Sequence, residues 1–220
     1  MFFKKRSNIY KDSVNILTEQ GYSDEYISAL KAAMEKAKTP ADIAEGQNML
    51  GTALLFRGEL DEAYDTFSQT DDEKIQKLLK QSFAANYLLC LFLLNKFREA
   101  EELFVRLNKE LLDENTLLMR RSMGIHQFIA GNYDAALTIF LKAYKESNRL
   151  EHSDSSRNSS MLGFCLIRTL LKLDMYEGAA DYLSALSPIA DKGQLGVLCG
   201  KMKRTVADRT ANKNKRKKKR

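Results

Sequence analysis

The chain has no tryptophan, two prolines, two histidines and three cysteines among its 220 residues. With Pro40 and Pro188 the only prolines, few backbone positions are barred from helix. No segment alternates apolar and polar residues in the manner of a half-buried strand, so the chain is expected to be all-α. No apolar stretch reaches the roughly 18 residues that span a bilayer. The longest dense run, Tyr87 to Leu94, ends at Asn95-Lys96. The opening Met1-Phe2-Phe3-Lys4-Lys5-Arg6 places its charges after its apolar residues, with no long apolar region behind them. That order is not a secretory signal, and a cytoplasmic protein is expected. Cys90, Cys165 and Cys199 form no close pair and stand among apolar neighbours, as buried reduced thiols do. His126 and His152 have no metal-ligand spacing with cysteine or carboxylate. A phosphate-cradling glycine loop and a nucleophile elbow are both missing. No catalytic residue, metal or cofactor is expected, and Glu99, Glu101 and Glu102 beside Arg98 and Arg106 are read as a solvated helix face.

Positive charge is present in excess, but in one place. Lys213, Lys215, Arg216, Lys217, Lys218, Lys219 and Arg220 supply seven of the 35 basic side chains, leaving 28 against 29 acidic ones in the rest of the chain. Basicity belongs to the tail. Three readings of that tail stay open: a solvated end, an electrostatic contact with RNA, ribosomes or DNA, and a contact with anionic membrane. It has no aromatic residue for base stacking, so a nucleic-acid contact would rest on phosphates. In a eukaryotic cell the run would also serve as a nuclear address.

What fills the body is a recurring pattern. Gly58, Asn95, Gly131 and Asp174 are each followed two places on by Leu60, Phe97, Tyr133 and Tyr176, and five places on by Ala63, Ala100, Ala136 and Ala179. Nine places on stand Phe67, Phe104, Phe140 and Leu183. The first residue of each set is a type that enters the left-handed backbone region at little cost, so each copy predicts a turn leading into a helix. The turn positions are 37, 36 and 43 residues apart. The longer third interval places an insertion in the serine-rich stretch 147–160, as an exposed loop or an extended helix end.

Before the first copy, helices are expected after Ser7 or Asn8 and after Ser23, the former stopped by Gly21. Thr39-Pro40 pairs a cap with a residue suited to the first helical turn. Helix pairs follow, each with one apolar face at i, i+3, i+4, i+7 spacing. Asp71-Asp72-Glu73 is expected to begin the second pair. Ser187-Pro188 starts a last helix on Leu195, Leu198, Met202 and Val206, weakened by Gly193, Gly196 and Gly200. Beyond about Thr210 the chain reads as disordered. The expected organisation is an N-terminal helical cap at 1–39, four helix pairs at 40–187, a capping helix at 188–209 and a basic tail at 210–220.

Over 40–187 the chain resembles the tetratricopeptide repeat, a helix-turn-helix unit of about 34 residues. The resemblance rests on Leu50, Gly51, Gly58, Ala63 and Phe67, on Ala100 with Phe104, on Gly124, Gly131, Ala136, Phe140 and Ala143, and on Ala179 with Leu183. The family's early aromatic is replaced by Gln47, Ala84, Arg120 and Gly163. Its closing proline is replaced by Ile75, Leu112, Asn148 and Asp191, and Leu88 and Ile167 stand where a small residue is usual.

The resemblance implies a right-handed superhelical array of antiparallel helix pairs, an α-solenoid with end-capping helices. It also implies a non-enzymatic scaffold that holds a partner segment in a concave groove lined by the first helix of each pair. The groove positions so implied are Asn48, Thr52, Leu55, Phe56, Ala85, Leu89, Phe92, Arg121, Ile125, Phe128, Phe164, Arg168 and Lys172. An apolar surface with basic residues at one end suits an amphipathic helix or an extended segment with an acidic end. The same residues are also readable as ordinary core, or as a groove filled by one of the chain's own end helices. Of the family's carboxylate clamp only Asn86 falls at a matching place, so no clamp is expected. The alternative function is a nucleic-acid- or ribosome-associated protein anchored by its tail.

Overall fold

The computed structural model describes residues 8–107, 116–149, 153–186 and 193–218; for 8, 78, 153–157 and 212–218 the description is of backbone only. Every regular element among the described residues is helical. The chain divides into two compact units, one ending at Asn95 and one beginning at Lys96.

The first unit opens with a short 3-10 turn, Asn8–Tyr10, followed by α1 (Lys11–Gln20), α2 (Asp24–Met34), α3 (Pro40–Arg57), α4 (Leu60–Ser68) and α5 (Lys77–Leu93). Local chemistry sets the boundaries. Gly21 takes a positive φ after α1, and its amide donates to the Leu17 carbonyl. Ser23 caps α2 by accepting from the Tyr26 amide at 3.1 Å, with Asp24 and Glu25 at the positive end of the helix dipole. Thr39 caps α3 by accepting from the Asp42 amide at 3.1 Å, while its hydroxyl donates to Asp42 Oδ2 at 2.8 Å. One expectation needs correction. Asp71-Asp72-Glu73 does not begin a helix; Asp71 accepts from the Glu73 and Lys74 amides in a turn, and α5 starts at Lys77. An aspartate accepting locally closes its own turn as readily as it caps a helix.

Within this unit α3 packs against α2, α4 and α5. The α3–α4 contact is close because Gly51 has no side chain. A Cβ there would stand 2.7 Å from the Phe67 ring. Phe67, itself buried, meets Phe83 edge-on at 5.8 Å and stacks on Tyr87 at 5.4 Å, so one ring joins α3, α4 and α5. Arg57 at the end of α3 pairs with Asp24 at 2.6 Å and with Glu59 at 2.7 Å, tying the end helices to the first pair.

The second unit contains α6 (Phe97–Arg106), α7 (Leu117–Ile129), α8 (Tyr133–Ser147), α9 (Ser153–Lys172), α10 (Tyr176–Ala185) and α11 (Gly193–Lys218). Successive helices from α6 to α11 pack on one another. Gly124 and Phe140 repeat the device of Gly51 and Phe67, since a Cβ on Gly124 would overlap the Phe140 ring. Helix takes up both described ends of the insertion: α8 runs through Ser147, α9 begins at Ser153, and the Ser147 and Ser159 hydroxyls lie 2.8 Å apart.

The four expected turn positions all have positive φ: Gly58 at 82°, Asn95 at 62°, Gly131 at 81° and Asp174 at 57°. Three of the turns close in the same way. The amides of Gly58 and Glu59 donate to Leu55 and Leu54, those of Gly131 and Asn132 to Phe128 and Gln127, and those of Asp174 and Met175 to Leu171 and Leu170. Each recovers two carbonyls that a helix end would otherwise leave bare.

Two expectations about organisation differ from the structure. The expected four-pair stretch is divided at Asn95, so its second pair contributes α5 to one unit and α6 to the other. The expected end of order near Thr210 is replaced by helix through Lys218, because Lys, Arg and Ala have high helix propensity and no proline or glycine follows Gly200. Helix α11 begins at Gly193; Ser187-Pro188, expected to start it, lies outside the described residues, as do His152, Lys219 and Arg220.

Candidate functional site

The groove positions expected from the repeat register fall into two sets. In the first unit Asn48, Leu55 and Phe56 on α3 and Ala85, Leu89 and Phe92 on α5 are buried, with Thr52 half-buried. Phe56 stacks face to face with Tyr22, from the turn between α1 and α2, at 5.5 Å. The N-terminal helices therefore cover this position. Thr52 accepts from Asn86 Nδ2 at 3.2 Å, which places the one clamp-like asparagine in a hydrogen bond between α3 and α5.

In the second unit Arg121, Ile125, Phe128 and Phe164 are buried, Arg168 is half-buried and Lys172 is exposed. Here the helices bring cations and rings together. The Arg168 guanidinium on α9 lies over the Phe97 ring of α6 at 5.5 Å and over the Phe128 ring of α7 at 5.7 Å. Lys172, one helical turn further on, has its ammonium 6.0 Å from the Tyr133 ring at the start of α8. Phe128 links the two halves, tilted against Phe97 at 6.0 Å and edge-on to Tyr133 at 5.1 Å. The cluster thus draws on four helices. Three of its residues, Phe128, Arg168 and Lys172, are expected groove positions. Phe97 and Tyr133 are assigned from sequence to the inner stripe of their helices, and the signal that identifies them is an aromatic in the first helical position after the left-handed turn.

Electrostatics concentrate at the same place. Burial lowers the Arg168 pKa to about 10, opposed by Cys165, and the Arg121 pKa to about 10 for the same reasons. Both therefore stay charged at neutral pH in a medium that screens charge poorly. Burial also pushes the Cys165 thiol up to about 12, with Arg121 and Arg168 pulling the other way. This thiol is protonated and unreactive at neutral pH.

The remaining polar residues have simpler roles. Lys96 pairs with Glu99 at 2.9 Å and Arg98 with Glu102 at 3.1 Å on the outer side of α6. His126 stacks on Phe104 at 4.0 Å. No group of three or more His, Cys, Asp or Glu among the described residues could hold a metal ion, and no helix there is long and apolar enough to cross a membrane.

No protein-family model matches the chain, and no curated protein matches it. A search of solved structures finds a likeness to the crystal structure of a tetratricopeptide repeat protein from Parabacteroides merdae ATCC 43184, at 18% identity over 93% of this chain and 90% of that one, with a TM-score of 0.37.

Proposed function

We propose that the chain is a non-enzymatic protein-interaction scaffold whose second unit receives an acidic segment of a partner protein at the Arg168–Lys172 cluster. The observation that carries this reading is the seating of two cations against Phe97, Phe128 and Tyr133. Aromatic faces hold a guanidinium and an ammonium in place before a ligand arrives, which reduces the ordering cost of binding. Partial desolvation of Arg168 strengthens its attraction for a carboxylate. An acidic side chain would meet the cations while its apolar neighbours lie along the rings.

The site reading determines which residues test it. Phe92 and Arg121 are buried, so changing them would perturb folding first. Arg168 and Lys172 retain exposure. Affinity purification with the native chain and with an Arg168→Glu, Lys172→Glu double variant is the direct comparison. Loss of the partner with unchanged far-UV circular dichroism is expected. Equal recovery of the same partner by both chains would remove the cluster from the binding site.

A further inference from the structure

The edge of the second unit that carries Arg168 and Lys172 continues past them. Phe97, Tyr133 and Tyr176 open α6, α8 and α10, each two places after a residue with positive φ. The first two stand beneath a cation, Phe97 beneath Arg168 and Tyr133 beneath Lys172. Tyr176 has one nearby, supplied by α11. The buried residues Leu195, Cys199, Met202 and Val206 mark the face of α11 that packs on α9 and α10. At about 100° per residue Arg209 returns to that face three places after Val206, where the backbone is still helical. Its charge reaches Tyr176: the Asp174 carboxylate accepts from the Tyr176 hydroxyl and raises the Tyr176 pKa, and the Arg209 guanidinium opposes the rise. Rings and cations therefore alternate along this edge.

Arg168, Lys172 and Arg209 form a row that a ligand can use. Lys172 and Arg209 are exposed, and among the described residues neither has a carboxylate at ion-pair distance. Arg168 and Lys172 lie one turn apart on α9, about 6 Å, and packed helices such as α9 and α11 lie about 8–10 Å apart, so the row is about 15 Å long. It runs along α9 and then across to α11. A straight helix does not follow that path, whereas about six residues of extended chain cover about 20 Å and can turn between the two. Alternate side chains of such a chain fall about 7 Å apart on one face, close to the spacing of Arg168 and Lys172. Single-stranded nucleic acid is held by stacking its bases on open rings. Phe128 is buried and cations already lie over Phe97 and Tyr133, so this edge offers charge and not stacking. One acid interrupts the row. Asp174 holds its charge two places after Lys172 and against Tyr176, where it repels the acids of a ligand.

Building on the acidic-segment reading, we infer that the Arg168–Lys172 site extends to Arg209, that it takes an extended segment of a partner protein with acidic residues at three alternate positions, and that Asp174 limits its affinity. The probes are the fluorescently labelled heptapeptides EVESEGE and EVESQGQ, which differ only in two carboxylates, titrated with the full chain and followed by anisotropy. The native chain is expected to bind EVESEGE about fivefold more tightly, as an added exposed ion pair allows. Arg209→Gln should weaken EVESEGE about threefold to fivefold and leave EVESQGQ within about twofold. Asp174→Asn keeps a residue type that enters the left-handed region, as Asn95 does, and should strengthen EVESEGE binding about twofold to threefold, a gain that misfolding cannot produce. Arg209→Gln acting on both peptides alike, or on neither, would confine the site to Arg168 and Lys172 and overturn the extension alone. Unchanged or weaker binding by Asp174→Asn would overturn the role of that acid. Binding of neither peptide by the native chain would overturn the acidic-segment reading as well. Tighter binding of a single-stranded oligothymidylate than of EVESEGE would overturn the choice of a protein segment.

Discussion

Replacing Gly51 with alanine sets two effects of known size against each other. Glycine inside α3 costs about 1 kcal/mol relative to alanine through backbone freedom, so in open space the change would stabilise the fold. The space is not open. The new Cβ would stand 2.7, 2.8 and 3.0 Å from three carbons of the Phe67 ring. Ordinary contact begins near 3.4 Å, so the ring or α3 must retreat by several tenths of an ångström. Phe67 cannot swing away freely, because Phe83 and Tyr87 occupy its other side. Overpacking of a core costs about 1–3 kcal/mol, and contacts this short against a held ring place the change in the upper part of that range, about 2–3 kcal/mol; less the glycine gain of about 1 kcal/mol, the net expectation is destabilisation by about 1–2 kcal/mol. In urea, followed by far-UV circular dichroism, the first unit's midpoint should fall by about 0.5–1 M. Adding Phe67→Leu to the Gly51→Ala background should return part of the loss. The internal control is Gly200→Ala in α11, where a Cβ meets nothing within 4 Å and stability should rise by about 0.5–1 kcal/mol. A neutral or stabilising Gly51→Ala, or a Phe67→Leu that merely adds its own cost, would refute the close approach of α3 and α4.

Other changes probe separate features. Gly131→Ala forces a side chain into the left-handed region at φ 81°, and should lower stability by about 1–2 kcal/mol in thermal denaturation although its surroundings are open. Thr39→Ala removes the cap on α3 and should cost about 1 kcal/mol, measured the same way. Burial, with Asp42 and Glu45 nearby, raises the Tyr10 pKa to about 12. Between pH 10 and 12 the folded chain therefore keeps a proton that the unfolded chain has lost, and this group's stabilisation declines as pH rises through that window. Tyr10→Phe loses the 2.5 Å hydrogen bond to the Asp42 carbonyl and should be less stable at pH 7, yet its urea midpoint should fall less from pH 10 to 12 than that of the native chain. Cys90, Cys165 and Cys199 are all buried, so a thiol reagent at pH 8 should label them only after urea is added.

Much of the local structure is legible in the sequence because it depends on local chemistry. The four turn residues are the types that tolerate positive φ, and every one adopts it. Ser23 and Thr39 cap the helices that follow them as expected, while the matching cap at Thr116 emerges only from the structure. The groove is harder, because an apolar residue lining a concave surface and an apolar residue in a core have the same periodicity. Leu89, Phe92 and Phe164 illustrate this, being fully buried where the repeat register places a binding surface. The cation cluster is half legible: Phe128, Arg168 and Lys172 follow from the register, but Phe97 and Tyr133 join them only once α6 and α8 are placed. Division at Asn95 leaves no trace in the spacing of turns, which is regular across it. The helix over 210–218 was hidden by composition, since a run of lysine and arginine reads as disorder although each residue favours helix.

The pairing of Gly51 with Phe67 and of Gly124 with Phe140 places an empty position sixteen residues ahead of a filled one in both cases. Volume is shared across the helix contact, so neither member is free to vary alone: a larger residue at 51 or 124 demands a smaller one at 67 or 140. The same interval falls on Leu88 before Phe104 and on Ile167 before Leu183, so in those two copies both positions are large and the exchange of volume is not made there. The glycine–phenylalanine pair therefore marks alternate copies, the first and the third, and in those two a change at either position has its effect set by what stands at the other.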